Sequence, residues 1–498
     1  MTHRPFQPQR CTRRALTRGN ALTAGPTLTG RSALATRCAA RWLLPAGTLL
    51  FLSACAVGPN YHRPGFETTA SYKESADWKP SEPADAMSRG PWWAIFKDDE
   101  LSELETKIAL NNQNVLAAAA AVDQARALVD QSKAGFWPSI GAAVGAQRGA
   151  TGTLPAQTTV AASATVNWTI DIWGQIRRTV ESDRASAQAT DAALAAATLS
   201  AQGDLATDYF ELRAQDQLQR ILDDIVVAEE LSLKITESRY KFGVAAKADV
   251  VTAQTQLLNS QAQQINARVQ RGVLEHAIAV LIGEQPADFS LTPTPMRSDV
   301  PTVPADMPSK LLERRPDIAQ AERKMAAANA QIGVATAAYF PTLTVSGSDE
   351  YEHNTFSNLI GVPNRIWAIG PQLAETIFDA GLRRAEVAQA RAAYQADIAN
   401  YRQTVLSGLE QVEDELVTLR VLEKEQVVED AAVAASLEAE KLTLNQYKAG
   451  TVPYSSVITA QTTRLSSEES ALSVLSTRLQ ASVALIEALG GGWTASKL

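Results

Sequence analysis

The chain has 498 residues, with 46 Lys+Arg against 54 Asp+Glu and a formal charge of −8. That acidic balance argues against nucleic acid as a partner, because gripping a phosphate backbone needs clustered positive charge. Two of the three cysteines, Cys11 and Cys38, lie near the amino terminus, so once a leader is removed Cys55 stands alone and no intramolecular disulfide is expected.

Residues 1–54 contain eight Arg and no Asp or Glu, and Trp42 to Ala54 forms a short apolar run. A basic region followed by a hydrophobic stretch too short to stay as a spanning helix reads as a leader and signal peptide. The run ends Leu52-Ser53-Ala54-Cys55, which resembles a bacterial lipobox and predicts cleavage before Cys55 with lipid attached there. The other reading is an ordinary secretory signal followed by a chance cysteine. Loss of the leader leaves 38 basic against 54 acidic residues, a net charge of −16.

Residues 55–90, rich in Pro, Ser and charge, read as an extended N-terminal arm. Pro91-Trp92-Trp93 opens a helical region in which Leu101, Leu104, Ile108 and Val115 precede the alanine run 117–121, and the pattern stops before Pro138. Two alternating segments follow. Ile140, Ala142, Val144 and Ala146 share one parity, as do Val160, Ala162, Ala164, Val166, Trp168 and Ile170, the residues between being mostly polar or small. A period of two held this long predicts strands able to cross a bilayer when tilted. From Gln175 to Phe242 there is no proline and one glycine, Gly203, which predicts a single helix roughly 100 Å long. A turn at Gly243 and a returning helix from Lys247 to Leu281 close the unit.

The same order then recurs. Arg315-Pro316-Asp317 to Ala338 is a helix; Leu343, Val345 and Gly347 alternate with Thr342, Thr344, Ser346 and Ser348; and Ile366 to Phe378 is a weaker fourth strand. Leu382 to Ala449 is a second rod with one glycine, Gly408, followed by a turn at Gly450 and a helix from Val452 to Leu489. Thr169-Ile170, Tyr240-Lys241 and Ala253-Gln254-Thr255 fall 207 residues before Thr376-Ile377, Tyr447-Lys448 and Ala460-Gln461-Thr462. Leu205, Tyr209 and Leu212 match Val412, Leu416 and Leu419, the 4-then-3 spacing of a helix-packing seam. Such a long repeat marks a duplicated domain rather than a solenoid.

The expected organisation is therefore a leader over 1–54 and an arm over 55–90; helical barrel segments 91–137 and 174–285 with strands 138–173; a linker, 286–307; helical segments 308–340 and 381–489 with strands 341–380; and a tail, 490–498. The fold class is mainly α with a small β part, built on long antiparallel helical hairpins. Four strands cannot close a barrel, and an open edge is prohibitive in lipid, so copies must associate. Eight strands enclose only side chains and twelve leave a lumen, which favours a homotrimer for a conducting protein. Aromatics at the junctions, Phe136-Trp137, Trp168, Trp173, Tyr339-Phe340, Trp367 and Phe378, suit core packing and an interfacial girdle alike.

These residues resemble the TolC-like outer membrane factors of tripartite efflux pumps, and more closely their lipoprotein, NodT-type branch. The resemblance is carried by Gly58-Pro59-Asn60-Tyr61, Pro91-Trp92-Trp93, the run Leu311 to Ile318, Ala328-Asn329-Ala330-Gln331-Ile332-Gly333, Phe378-Asp379-Ala380-Gly381 and the run Ala488 to Trp493. It implies a trimeric α-barrel continuous with a twelve-stranded transmembrane β-barrel. It also implies partners: the lipid bilayer, a periplasmic adaptor, and through it an inner-membrane pump of the resistance-nodulation-division type. The turns at Gly243, Gly450 and Pro453 would be the periplasmic tips.

Some members of that family shut the tip with an aspartate and a leucine, whose positions here hold Thr459 and Ser455, with Thr252 and Ala248 in the first copy and Asp249 only a neighbour. Closure by tip packing and hydroxyl hydrogen bonds is the expectation, with Ser455, Thr459 and Asp249 as the candidate gate region. The acidic run Glu410, Glu413, Asp414 and Glu415 is either a solvated face or a tunnel-lining ring. His3, His62, His276 and His353 are scattered without ligand spacing, and no catalytic residue, metal site or cofactor is expected. The second reading is a lipid-anchored periplasmic coiled-coil adaptor or stalk, which would not need bilayer-length strands.

Overall fold

The structure, a computed structural model, describes residues 56–65, 71–75, 91–150, 152–153, 155–303 and 314–493. The chain divides into Met1–Ala54 and Cys55–Leu498, and all described residues belong to the second unit. Cys55 and Leu311-Leu312-Glu313 lie outside them.

Seven α-helices and four strands are described, in the order α1 (Asp99–Asn111), α2 (Gln113–Ala134), β1 (Ser139–Gly149), β2 (Gln157–Ile170), α3 (Gln175–Lys241), α4 (Lys247–Leu281), α5 (Pro316–Ala337), β3 (Thr342–His353), β4 (Arg365–Ala374), α6 (Leu382–Ala449) and α7 (Tyr454–Ala488). The order of helix, two strands, rod and returning helix occurs in both halves, the first opening on two helices, α1 and α2, where the second has α5 alone among the described residues. The rods contain 67 and 68 residues, about 100 Å each.

Two boundaries differ from the sequence pattern. The first helical region is broken into a 3₁₀ turn, Trp92–Phe96, and two helices that meet at Asn112. The break has a polar cause, since the Asn112 side chain accepts hydrogen bonds from the N–H groups of Asn114 and Val115 and donates 2.8 Å to the Leu281 carbonyl. The fourth strand starts at Arg365 and stops at Ala374, short of the expected Phe378. The segment expected to be a linker is in fact a strap. Leu291 and Val303 are buried in the main core, and Arg271 donates to the Leu291 carbonyl while Asp216 accepts from Thr294 N–H.

That core lies midway along the helices and joins both copies. The expected seam residues Leu205, Tyr209, Leu212, Val412, Leu416 and Leu419 are all buried in it, together with Trp92, Trp93, Ile278 and Leu485. The two copies share one joint. In the first, the turn after α4 places Gly283 (φ +73) where an added Cβ would stand 2.4 Å from the Asn111 carbonyl oxygen. In the second, Gly490 (φ +91) after α7 would bring a Cβ within 2.2 Å of the Arg314 carbonyl oxygen. Asn112 binds the Leu281 carbonyl in one joint, and Arg315 binds the Ala488 carbonyl at 3.2 Å in the other. Different side chains thus satisfy the same helix end. Replacing Gly490 with alanine is predicted to cost about 2 kcal/mol or more, read as a lower thermal midpoint of helix loss by circular dichroism.

One core residue breaks the apolar rule. Glu105 is fully buried, neither carboxyl oxygen has a partner, and burial followed by repulsion from Glu487 pushes its pKa up to about 9. Glu487 is itself raised to about 7 by burial, with Asp204 adding to the shift and Arg315 opposing it. A carboxyl raised in the folded state stabilises the fold below its unfolded pKa, and the benefit is lost as pH climbs from the ordinary 4.5 toward 9. Glu105→Gln should therefore match wild type near pH 5 and unfold at increasingly higher urea than wild type toward pH 9. Parallel pH profiles for the two proteins would refute this.

Candidate functional site

Two regions can carry function, the sheet and the far ends of the rods. The sheet is a meander in the order β1-β2-β3-β4, and its antiparallel register sorts every side chain. Ala142 pairs with Ala164, Val166 with Gly347, Trp168 with Val345, and Leu343 with Leu373. One face is therefore apolar along the rod-side part of all four strands, while Arg148, Thr158, Asp349, His353 and Arg365 stand toward its far end. On the other face Gly141 pairs with Thr165, Asn167 with Ser346, Thr169 with Thr344, and Ser346 with Gly370. That face is polar or small, the expected sorting for strands with lipid on one side and water on the other. β1 and β4 are the outermost strands. Among the described residues no helix is long and apolar enough to cross a membrane.

The junction aromatics divide between the two expected roles. Trp173 stacks on Phe340 at 4.7 Å and donates its ring N–H 2.8 Å to the Pro341 carbonyl, whereas Trp137, Trp367 and Phe378 are exposed. The amino-terminal arm reaches this junction. Val57 N–H donates 3.0 Å to the Trp173 carbonyl, Arg178 binds the Val57 and Gly58 carbonyls and Asn60, and Asn329 binds the Pro59 carbonyl at 3.1 Å. Gly58-Pro59-Asn60-Tyr61 is thus a docking segment held between α3 and α5.

At the far end, Gly243 (φ +76) and Gly450 (φ +79) both adopt the left-handed conformation. The turns match bond for bond: Val244 N–H reaches the Arg239 carbonyl at 2.8 Å, and Thr451 N–H reaches the Gln446 carbonyl at 3.0 Å. Pro453 immediately precedes α7, as its N-terminal flanking residue. Asp249 accepts from Ala246 N–H at 3.3 Å and so serves the start of its own helix. Thr459 donates to the Ser455 carbonyl at 3.0 Å, within its own helix, and both residues are exposed.

What ties the tips together is a cluster that the sequence did not single out. Tyr447, Tyr454, Val457 and Ala253 are buried together; the two tyrosine rings lie 5.3 Å apart, and the Tyr447 hydroxyl donates 3.1 Å to Thr236. Burial, followed by the nearby Glu229, pushes the Tyr454 pKa up to about 12, so it stays neutral. Arg239, from the first rod, stacks over the Tyr447 ring at 4.6 Å and donates to the carbonyls of Tyr447 and Lys448 at the end of the second. The only hint in the sequence was that Tyr447 sat in a repeat marker. Beyond the cluster, Phe242 and Val244 are left 81% and 63% exposed.

The acidic run on α6 does not act as a unit. Glu413 accepts the N–H groups of Lys73 and Glu74 in the arm, while Glu415 lines a cavity of about 430 Å³ with Arg315, Gln411 and Glu487. Among the described residues there is no acidic, histidine or cysteine cluster able to hold a metal ion.

A family model described as outer membrane efflux protein matches residues 105–284 and 307–491. Among curated relatives, the pyoverdine export outer membrane protein OpmQ of Pseudomonas aeruginosa is 30% identical over 465 residues, 90% of this chain and 96% of its own length. The probable efflux pump outer membrane protein TtgC of Pseudomonas putida is 26% identical over 461 residues, 90% and 95% of the two lengths. The outer-membrane channel OprN superposes with a TM-score of 0.80 at 28% identity, covering 88% of this chain and all of that one. The Campylobacter jejuni channel CmeC shares the fold, with a TM-score of 0.80 at 20% identity over 89% of this chain and 96% of its own.

Arg239→Ala removes a stacking interaction and two helix-end hydrogen bonds, while Tyr447→Phe removes one hydrogen bond, worth about 1 kcal/mol. Amide exchange over residues 446–458 should quicken in both variants, more in the first, with the mid-rod core unchanged.

Proposed function

The chain belongs to the outer membrane efflux protein family, and from that membership and the two-faced sheet we propose that three copies form the exit duct of a tripartite efflux system, with no catalytic role. The observation that carries the reading is the register. One face is apolar along the rod-side part of all four strands, with Arg148, Asp349, His353 and Arg365 confined to its far end, and the other is mostly polar or small, on a sheet whose outermost strands, β1 and β4, have free edges within the chain. Lipid cannot satisfy those edges, and twelve pooled strands both satisfy them and leave a lumen.

The rods support association too. On α4, Val251, Leu258, Ile265, Val269, Val273 and Val280 are exposed at intervals of seven or four residues, a stripe that suits a partner helix. On α6, Val421, Val427, Val428 and Leu442 are likewise uncovered. A neighbouring copy supplies the cover. The rods would then continue the barrel across the periplasm, with Phe242 and Val244 presented to a periplasmic adaptor that links the duct to an inner-membrane pump of the resistance-nodulation-division type.

Lipidation at Cys55 fits the same frame. Val57, two residues on, is pinned to Trp173 where β2 gives way to α3, which would bring an acyl group to the membrane interface. In the closed tip the Tyr447 cluster would hold the shut state, with Ser455, Thr459 and Asp249 as wall residues. Toluene, antibiotics and pyoverdine appear in relatives' names; for this chain the cargo is put as small molecules delivered by the pump.

Detergent-extracted protein should run as a heat-resistant trimer and conduct in planar bilayers, and Cys55→Ser should abolish palmitate labelling while leaving the conductance intact. A monomer without conductance would favour the anchored stalk instead. Ile265→Asp on the exposed stripe should weaken the trimer, lowering its dissociation temperature in dodecyl sulfate by several degrees, as expected from about 2 kcal/mol.

A further inference from the structure

Above the tip cluster, where α3, α4, α6 and α7 meet, a layer of polar side chains is closed off from solvent. Glu229, Ser232, Ser260, Glu440 and Gln461 are each less than a tenth exposed, and the hydrogens available to them can be assigned one by one. Gln256 donates to Glu229 Oε1 at 2.9 Å. Ser232 directs its hydroxyl hydrogen to the Ala228 carbonyl, so its oxygen can only accept. That fixes the Gln461 amide, with Nε2 toward Ser232 at 3.1 Å and Oε1 turned away. Arg464 is engaged by Glu440 and Glu468. Two buried acceptors, Glu229 Oε2 and Gln461 Oε1, are left without a donor.

The two acceptors belong to one layer. Glu229 and Ser232 stand one turn apart on α3, roughly 5–6 Å between their Cβ atoms, and the Gln461 amide rests on Ser232. Burial raises the Glu229 pKa against hydrogen bonds from Gln256 and Ser260 on α4, and Glu440 on α6 adds to the rise. From α7 the ionisable groups in this region are Tyr454, which is neutral, and Arg464, which its two glutamates hold. The Ser260 hydroxyl has one hydrogen and can serve one of the two acceptors, not both. A carboxylate at Glu229 leaves the other unserved, whereas a carboxylic acid supplies the missing hydrogen.

We propose that Glu229 sits in this layer as a neutral carboxylic acid donating to Gln461 Oε1, and that loss of its proton unlatches the helices above the tip. The bond ties the first rod to the returning helix of the second copy, above the point where Arg239 of the first rod clamps the end of the second. A carboxyl raised in the folded state contributes its stability below the ordinary value of 4.5 and loses it as pH climbs through the raised one. The latch is therefore closed in acid and weakens toward alkaline pH. It is a contact within one chain; its effect on passage rests on the duct reading, in which a looser tip opens more readily.

The experiment follows amide exchange over residues 225–240 and 446–461 of the full-length protein in detergent between about pH 5 and 9, each rate corrected for the intrinsic exchange rate at that pH. In wild type, protection of these segments should fall about three-fold or more across the range. E229Q should hold its pH 5 protection throughout, because its amide accepts from Gln256 through oxygen and donates to Gln461 through nitrogen. A wild-type minus E229Q infrared spectrum at about pH 6 should carry the C=O band of a protonated carboxylic acid, where a carboxyl of ordinary pKa is almost wholly ionised. Absence of that band, or equal exchange profiles in the two proteins, overturns the latch. Should E229Q fail to fold, flat protection in wild type overturns it in its place. Tip protection that rises with K⁺ at fixed pH, and only when Glu229 is present, assigns the layer to a cation and overturns the proton. In planar bilayers the open probability of wild-type trimers should rise with pH and that of E229Q should not. No conductance from wild type overturns the duct reading and leaves the exchange result, a property of the single chain, in force.

Discussion

A β-sheet edge in lipid has nowhere to place its backbone hydrogen bonds. Here that constraint falls on a four-stranded sheet with one apolar face, and most of the structure can be understood as its consequence. In the proposed duct the sheet would not be satisfied within one chain, and its outermost strands would meet other copies. Rods attached to such a wall would in turn pack against each other around the same axis. Their exposed apolar stripes, a liability in an isolated chain, would then be the surfaces along which that packing occurs.

The rods bring a problem of their own, because a helix of 67 residues has far more length than core. The chain places its largest apolar cluster in one band midway along, keeps smaller ones around Tyr401 and at the tip tyrosines, and uses polar contacts between them. Below the band, Glu229, Ser232, Ser436, Glu440 and Gln461 are buried between helices, linked through pairs such as Gln256 to Glu229 and Arg464 to Glu440. These polar layers, in which Glu229 Oε2 and Gln461 Oε1 have no partner, define which helices meet and hold them less tightly than a packed apolar core would. Rigidity is restored at the ends, by the arm and the joint glycines near the sheet and the core, and by Arg239 with the two tyrosines at the tips.

Duplication explains why the two halves look alike, and divergence explains why they differ in function. The joints at Gly283 and Gly490 keep the same backbone approach, while Asn112 does with an amide what Arg315 does with a guanidinium. The tips keep the same turn but not the same side chains. Arg239 has Gln446 at its repeat position, so only the first rod can clamp the second.

The sequence alone determined the periodic features of this protein. Strand parity, the lengths of the rods, the positions of the turns and the 207-residue repeat are local patterns, and each survived almost unchanged because a period of two or of 3.6 is imposed by the backbone itself. The break at Asn112, the strap at 286–303, the Arg239 clamp and the separate duties of Glu413 and Glu415 were not legible. Each depends on a partner far away in the chain, such as Leu281 for Asn112 or Tyr447 for Arg239, and such pairings leave no periodic trace. The same holds for the lone charges on the sheet. Glu350 and Glu352 lie beyond the alternation read over residues 342–348, and only the register of all four strands places them on the polar face with no base beside them.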